Sequence, residues 1–345
     1  MTLKVSFEFF PPQTDLMEER LKTNVQKLIG LRPSFVSITY GAGGSTRKKT
    51  QSVVKKIITQ TPLNVAAHLT CVDASKNEIK KVINDYLDIG VRHIVALRGD
   101  MKDLNAFEPH PEGFRNSIEL IEYIKSRANI TVSVSGYPEP HLESKGYQSD
   151  IDFLRAKIDS GADQIITQFC LNTDYYLRYR DQLDKEGFTT PIIPGIMLIK
   201  KFRGIEKMSK KIGVEVPTEI LNIIGKNLTP DEEKNAAEEF AIDQCEKLRK
   251  NGFENLHFYT LNESEIITAT SIPKISLILS LINSADLSKF NGRKLTLSFS
   301  FKLEVSIPAL AQIYPYIVST INIPFLALII SLELFKINCT NLGSF

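Results

Sequence analysis

Residues 91–100 read Val-Arg-His-Ile-Val-Ala-Leu-Arg-Gly-Asp, and this stretch decides the fold. Its apolar centre is too short for a helix and is bounded by glycine, which is typical of a buried parallel strand. Alternation along an extended strand places Ile94, Ala96 and Arg98 on one face, and Asp100 follows if the extended backbone continues. Charged residues seldom end a buried strand unless they are paired or hold a ligand. We therefore predict that Arg98 and Asp100 either pair with each other or contribute to a ligand site.

Seven further segments share this pattern of a short strand-like run that ends in polar residues. The eight predicted strands cover residues 5–10, 34–40, 64–71, 94–97, 130–137, 164–169, 191–197 and 255–261. Helical segments separate them over about 260 residues, the usual length of a (β/α)8 barrel. A doubly wound open sheet is the alternative α/β fold. We predict the (β/α)8 TIM barrel, because its active site lies at the carboxyl ends of the strands, where these polar residues occur.

Composition excludes several classes of function. The 345-residue chain has a formal net charge of +2, which argues against nucleic acid as a partner. Its four cysteines are far apart, and neither Cys-x-x-Cys nor His-Glu-x-x-His occurs, so no disulfide framework and no metal are expected. The first residues lack the apolar core of a secretory signal. We expect a cytoplasmic protein.

The character of the sequence changes after the last predicted strand. We assign residues 1–270 to the barrel and residues 271–345 to a divergent apolar tail of uncertain structure. Residues 307–332 carry no charge and are long enough to span a bilayer, but three prolines within them would interrupt a regular helix. A packed or poorly folded tail is therefore favoured over a membrane anchor.

Glu8 is the strongest candidate for proton chemistry. It shares a strand face with Ser6, and Phe7 and Phe9 are its neighbours in sequence. Among phenylalanines a carboxylate is poorly solvated, so its pKa should rise toward that of a general acid at neutral pH. A salt bridge to Arg98 is the purely structural alternative.

Small residues follow the second strand directly after Thr39 and Tyr40. Positions 41–45 read Gly-Ala-Gly-Gly-Ser, which lets a ligand approach the backbone closely, although a plain turn explains the run equally well. Thr46 stands where a Rossmann fingerprint requires glycine, so that motif is not present. On the third strand, His68 is either a core histidine whose hydrogen bonds are satisfied within the protein or part of a catalytic or ligand-binding site.

Aromatic and charged residues follow the fifth strand. Tyr137 and His141 lie around two prolines, on a rigid turn that suits a planar ligand or serves the structure alone. Asp150 and Lys157 lie on the next helix, where a solvated helix face explains them equally well.

Polar residues also end the sixth and eighth strands. Gln168 carries an amide that donates and accepts at once, which suits the edge of a pterin or nicotinamide. A hydrogen bond within the barrel is the alternative, and Tyr259 and Asn262 have the same ambiguity.

Taken together, the strand ends resemble those of methylenetetrahydrofolate reductases. Eight strings occur in the order of that family between about residues 3 and 262, and their number in order makes the resemblance specific. They are FEFFPP at 7–12, TYGAGGS at 39–45, AHLTC at 67–71, ALRGD at 96–100, YPE at 137–139 with His141, IITQ at 165–168, IPGI at 193–196 and HFYTLN at 257–262.

The resemblance implies a homo-oligomeric (β/α)8 barrel that holds FAD, which NADH or NADPH reduces before 5,10-methylenetetrahydrofolate accepts a hydride and becomes 5-methyltetrahydrofolate. It implies that Glu8 is the general acid, that Asp100 tunes flavin and pterin, and that Gln168 and Tyr259 contact the substrate. The positions that match flavin contacts are Thr39, Tyr40, Ala42, His68, Arg98, Gly99, Asp100, Asn116, Ser117, Tyr137, His141, Asp150 and Lys157.

The sequence departs from the bacterial pattern at several places. Asn116 and Ser117 replace tyrosine and alanine, which alters one flavin contact, and Leu198 replaces a common proline. Glu263 replaces an arginine that helps to hold the folate, so its charge would repel the folate carboxylates. The tail beyond it no longer resembles the family and is either a lineage-specific extension or the product of a shifted reading frame.

Two alternative functions follow from these departures. One is an FAD-dependent barrel oxidoreductase of another class, similar to proline dehydrogenase. The other is a non-catalytic homologue disabled by its altered carboxyl terminus.

Overall fold

A computed structural model describes residues 3–40, 47–100, 108–199, 201–226 and 228–262, together with the backbone of 294–298 and 302–306. Ala42, Glu263 and residues 307–332, on which three of the predictions above depend, lie outside the described residues, as does the boundary between residues 270 and 271. The chain divides into two units, Met1–Asn283 and Ser284–Phe345.

The first unit is built on a parallel sheet. In chain order its strands are β1 Lys4–Phe9, β2 Phe35–Ile38, β3 Val65–Thr70, β4 His93–Leu97, β5 Thr131–Gly136, β6 Gln164–Thr167, β7 Ile192–Ile193, β8 Gly195–Met197 and β9 Asn255–Tyr259. The spatial order is β7-β6-β5-β4-β3-β2-β1-β9-β8, and every paired strand is parallel. Strands that follow one another in sequence thus lie side by side from β1 to β7.

Closure of the sheet depends on Pro194, which divides the seventh predicted strand into β7 and β8. Ile192 of β7 pairs with β6, whereas Ile196 of β8 pairs with β9. Proline has no N–H for a strand ladder, but the Pro194 carbonyl still accepts a hydrogen bond from the backbone N–H of His257, at 2.9 Å. Residues 192–197 therefore join both edges of the sheet, and the predicted barrel is confirmed.

Helices follow the strands as the periodicity predicts. They are α1 Asp15–Ile29, α2 Arg47–Gln60, α3 Lys76–Asp88, α4 Ser117–Arg127, α5 Tyr147–Asp159, α6 Thr173–Lys185, α7 Ile205–Ile212, α8 Thr218–Ile224 and α9 Pro230–Lys250. Capping boxes start α3 at Ser75 and α9 at Thr229. Prolines mark the starts of the last two helices, because Pro217 directly precedes α8 and Pro230 is the first residue of α9.

Alternation along the strands separates two cores. Phe7 and Phe9 pack outward with helical residues such as Val25. Phe35 and Val95 belong to a smaller cluster made only of strand residues, which fills the barrel interior. Side chains two positions apart share a face, so Ser6 and Glu8 of β1 face the interior.

The same alternation revises the interpretation of the fourth strand. Ile94 and Ala96 share a face, but they belong to the core between sheet and helices rather than to the interior cluster. The strand ends at Leu97, and Gly99 has φ +88°, so the extended backbone does not continue to Asp100. A Cβ at Gly99 would lie 2.5 Å from Val72 Cγ1, which requires glycine for the close approach as well as for the turn.

In the second unit, β10 Lys294–Ser298 and β11 Lys302–Ser306 form an antiparallel pair in which Leu295 lies opposite Val305. Among the residues that the structure describes, no helix is both long and apolar enough to cross a membrane.

Candidate active site

Glu8 lies at the centre of a polar cluster inside the barrel. Its Oε2 lies 3.2 Å from Nε2 of His68 on β3 and 3.6 Å from Nε2 of His257 on β9. Ser37 Oγ of β2 donates a hydrogen bond to the same oxygen at 3.4 Å. Only 12% of the Glu8 side chain is exposed. Adjacent strands thus bring one carboxylate and two imidazoles into direct contact.

The electrostatics of Glu8 differ from the sequence-based expectation. Burial raises its pKa, but the charge of His68 and the polar contacts with His257 and His68 outweigh burial and lower the pKa to about 2. The predicted rise was wrong because Phe7 and Phe9 point to the opposite face of β1. The predicted alternative partner was also wrong, since the carboxylate is next to histidines and Arg98 contacts Glu143.

His257 is the functional candidate that sequence reasoning missed. Its side chain is fully buried, and Nδ1 lies 2.8 Å from Ser6 Oγ. Ser6 pairs with His257 in the β1–β9 register, just as Glu8 pairs with Tyr259. Closing the predicted barrel by pairing its first and last strands would have placed these residues together.

A second group of residues lies around the ends of β4 and β5. Arg98 Nη1 lies 2.5 Å from Glu143 Oε2, and Nη2 lies 3.9 Å from Asp100 Oδ1. The Asp100 side chain is 79% exposed, so Glu143 is the closer and less solvated partner of the two carboxylates beside Arg98. The proposed Arg98–Asp100 pair is therefore present but long, and a surface pair of this kind contributes about 0–1 kcal/mol.

Aromatic rings and a buried ammonium complete this second group. The Tyr137 and His141 rings meet edge to face with centroids 4.8 Å apart, and Asp150 Oδ2 accepts a hydrogen bond from the His141 N–H at 2.9 Å. Lys157 Nζ lies 6.0 Å from the Tyr137 ring centroid and donates to the Ser135 carbonyl at 3.1 Å. Because Lys157 is 4% exposed, its interpretation as part of a solvated helix face was wrong.

Tyr259 lies within electrostatic reach of both groups. Burial raises its pKa, and Glu8 and Tyr137 raise it further. Its hydroxyl donates to the Thr167 carbonyl at 2.7 Å. The Glu8 cluster and the aromatic group are thus neighbours at the same end of the barrel.

Two further predicted residues use their polar atoms within the protein. The Gln168 side-chain carbonyl accepts from the Phe169 N–H at 3.0 Å. Asn262 donates to and accepts from the Phe10 backbone at 2.7 and 2.8 Å, which favours its structural interpretation.

The remaining predicted flavin positions directly follow β2 or lie at the start of α4. Thr39 is buried, its carbonyl accepts from Thr50 Oγ1 at 3.0 Å, and Tyr40 packs against the outer core. Asn116 caps α4 by accepting from the backbone N–H groups of its second and third residues, and Ser117 is buried as its first residue. In the described part of the chain, no three His, Cys, Asp or Glu side chains form a group that could hold a metal ion.

The buried ammonium of Lys157 should make the stability of the protein depend on pH. Burial is the main cause that lowers its pKa from 10.5 to about 8, with Asp150 opposing and Arg98 assisting the shift. Between pH 8 and 10.5 the unfolded chain therefore binds more protons at this residue, so the free energy of unfolding should rise with pH. Subtracting the profile of the Lys157→Met variant, measured without added ligands, isolates this slope. A pH-independent difference would contradict a buried, partly deprotonated ammonium.

A sequence profile of the family "Methylenetetrahydrofolate reductase" matches residues 2–272, which include both groups of side chains. The chain belongs to the methylenetetrahydrofolate reductase family. The predicted family membership is thereby confirmed.

Individual methylenetetrahydrofolate reductases align over the same region. The 5,10-methylenetetrahydrofolate reductase of Pectobacterium carotovorum subsp. carotovorum is 38% identical over 265 residues, which cover 76% of this chain and 87% of the relative. The Escherichia coli K12 enzyme of that name is also 38% identical and is covered to 88%. Methylenetetrahydrofolate reductase (NADH) 1 of Arabidopsis thaliana is 32% identical over 297 residues, 82% of this chain and 49% of the plant protein.

A solved structure supports the fold of this methylenetetrahydrofolate reductase family member. It is a protein from Clostridium thermocellum described as binding two copies of 5-methyl-5,6,7,8-tetrahydrofolic acid. Its TM-score is 0.53 at 14% identity, with coverage of 80% of this chain and 96% of that one. At this identity the similarity shows the barrel alone.

Proposed function

We propose that this protein reduces 5,10-methylenetetrahydrofolate to 5-methyltetrahydrofolate, with FAD as its cofactor and NADH or NADPH as the electron donor. Family membership supports the reaction. The observation that carries the proposal is the Glu8 cluster, in which a nearly buried carboxylate contacts two imidazoles at the carboxyl end of a barrel. General acid catalysis needs a proton held where water does not compete, and the cluster meets that need.

The residues of the second group fit a flavin dinucleotide. A diphosphate requires cationic donors, which Arg98 and Lys157 supply, and a ring system requires the aromatic surface of Tyr137. Thr70 Oγ1 is buried without a hydrogen-bond partner in the described part of the chain, so it offers a further donor and acceptor. When bound, the flavin supplies hydride transfer between nicotinamide and folate.

The protein itself orients the substrate and delivers a proton. Opening the five-membered ring of the substrate breaks a C–N bond, and the leaving nitrogen needs a proton that Glu8 donates. In the free protein the contacts with His68 and His257 lower the pKa of Glu8 to about 2, so its carboxyl is ionised at neutral pH. Substrate binding excludes water from Glu8, and a low dielectric favours the neutral, protonated acid. Gln168 supplies an amide for the folate or nicotinamide edge, and Asp100 adds negative charge beside it.

The visible absorption spectrum tests the proposal. The protein should be yellow as purified or after addition of FAD, NADH or NADPH should bleach it, and 5,10-methylenetetrahydrofolate should restore the colour. A colourless protein that stays free of added FAD would contradict the cofactor. Flavin reduction without folate turnover would instead support an oxidoreductase of another class. Homo-oligomeric assembly and a cytoplasmic location stay predictions, and light scattering tests the former.

The departures from the family pattern suggest one further comparison. If the altered carboxyl terminus disables the protein, truncation near residue 283, where the two units meet in sequence, should restore folding or activity. We propose that the full chain is active, so the truncated and full-length proteins should have the same rate of folate reduction.

A further inference from the structure

We propose that His257, held by Ser6, is a positioning residue that fixes the orientation of Glu8 and stores the proton that Glu8 donates. The inference rests on the proposed folate reduction and deepens it. It assigns a role to a fully buried side chain that contacts the carboxylate and is not one of the predicted flavin contacts.

The contacts of Ser6 are the basis on which we assign a tautomer to His257. The hydroxyl of Ser6 has one hydrogen, and Oγ lies 3.3 Å from the Leu256 carbonyl in donating geometry. We assign the Ser6 hydrogen to that carbonyl, so that Ser6 Oγ accepts at its 2.8 Å contact with His257 Nδ1 and Nδ1 carries a hydrogen. The other ring nitrogen, Nε2, is the atom that lies 3.6 Å from Glu8 Oε2.

This tautomer makes Glu8 and His257 share one proton. When both groups lack it, the lone pair of Nε2 faces the carboxylate, and the two repel each other. Binding of one proton, at either Nε2 or Oε2, converts that repulsion into attraction. The Nε2 atom is buried and has no other hydrogen-bond partner in the described part of the chain, so Glu8 is the group it can serve.

Packing on both sides holds the His257 ring in a fixed position. Its ring stacks on Phe35 with centroids 5.6 Å apart and meets Tyr259 edge to face at 5.3 Å. Its backbone N–H donates to the Pro194 carbonyl, beside the residues that close the barrel. His257 is fully buried, whereas 9% of the His68 side chain on the opposite side of Glu8 remains exposed. His257 is thus fully shielded from solvent, whereas His68, the other histidine beside Glu8, is partly exposed.

The proton moves from His257 to the substrate through Glu8. In the free protein the shared proton resides on Nε2 of His257, and it passes to Oε2 of Glu8 when the substrate covers the carboxylate. Glu8 donates it to the leaving nitrogen, whose C–N bond breaks with the electron pair staying on nitrogen, and an iminium remains on carbon. After product release, solvent reaches the exposed 12% of Glu8 and restores the proton. One proton is consumed in each turnover.

The His257→Phe variant tests the proposal, because it keeps an aromatic ring and removes both nitrogens. We expect folate reduction to fall about 100-fold, within the range for loss of assisted proton transfer, while flavin reduction stays within about twofold. His257→Gln retains a donor and should recover about tenfold of that loss. Because Glu8, His68, His93 and Tyr259 all face His257, the pH profile of folate reduction is measured for each variant. Its acidic limb should shift in His257→Phe.

His93 provides the matched control. It is also buried in the barrel and packs edge to face on Phe35 at 4.6 Å, but its Nε2 lies 2.6 Å from Ser133 Oγ. His93→Phe should lower folate reduction by less than about threefold, since fold stability rather than proton transfer is affected. Equal losses in the two phenylalanine variants would overturn the proposal. The proposal would also be overturned if the effects of His257→Phe and Glu8→Gln on the activation free energy of folate reduction were fully additive. Residues that act as a unit have non-additive effects.

A measurement on flavin-free protein separates this proposal from the proposed function. With ¹⁵N-labelled imidazoles, His257 should show a protonated Nδ1, and Glu8→Gln should shift its Nε2 resonance. The five histidines of the chain allow assignment by single substitution. Protonation at Nε2 alone in the neutral ring would overturn the relay. If folate reduction is absent but the resonances behave as described, the reaction assignment fails and the Glu8–His257 pair stands.

Discussion

Replacing Glu8 with glutamine should lower the rate of folate reduction about 1,000-fold and leave flavin reduction by NADH or NADPH almost unchanged. Glutamine has the same shape and can still accept the hydrogen bond from Ser37 and contact His68, so the interior should keep its packing. It cannot donate an acidic proton to the leaving nitrogen. Hydride transfer to the flavin needs no such proton, and separate stopped-flow measurements of the two half-reactions therefore distinguish the roles.

Glu139→Gln is the matched control for this prediction. Glu139 is a half-buried carboxylate beyond the end of β5, and its Oε1 accepts from the Glu215 N–H at 2.7 Å. Both half-reactions should stay within about threefold of the unmodified protein, since the contacts that are weakened, with the Glu215 N–H and with Cys170, do not involve Glu8. Loss of both half-reactions in Glu8→Gln would show that Glu8 holds the cofactor or the fold and is not the acid.

Substitution of Gly195 by alanine should destabilise the barrel by about 3 kcal/mol and lower the melting temperature by roughly 6–12 °C. A Cβ at this position would collide with the Thr167 carbonyl oxygen and lie 2.5 Å from Tyr259 Cε2. The carbonyl belongs to the strand backbone, so relief requires β6 and β8 to separate beside Pro194. Calorimetry measures the loss, and the displaced Tyr259 should also raise the KM for folate.

Gly204 provides the comparison for Gly195. It has φ −86°, and no atom lies within 4 Å of the position that a Cβ would occupy, so alanine fits there without strain. Gly204→Ala should leave the melting temperature unchanged or raise it by up to about 3 °C, because alanine reduces the entropy of the unfolded chain. Equal melting temperatures for the two variants would show that β6 and β8 can separate beside Pro194 without a loss of stability.

The fold was predictable because the strand and helix patterns of the individual segments are consistent with a closed barrel. The helices between the strands were predictable because apolar spacing is a local property, as in α1, where Leu21, Val25 and Leu28 are buried at helical spacing. The break at Pro194 was not predicted, because residues 191–197 read as one apolar strand. Only the need to pair with β6 and β9 at once shows that the strand changes partners there.

The site was predictable in its residue types but not in its electrostatics. Glu8 was correctly placed on a face with Ser6, yet its partners come from β2, β3 and β9, and no local pattern reports them. The phenylalanine neighbours in sequence suggested an apolar environment, whereas alternation turns them away. Lys157 shows the same limit, because the helix periodicity alone could not reveal that its ammonium is buried against Ser135.

Phe35 lies between His257 and His93, and this layering limits how much charge the barrel interior can hold. Burial, followed by repulsion from His257 and His68, lowers the pKa of His93 to about 3. His93 is therefore uncharged at neutral pH, and its imidazole adds no charge on its side of the Phe35 ring. The ionised carboxylate of Glu8 thus lies in a barrel interior where this second layer of side chains does not compete with it electrostatically.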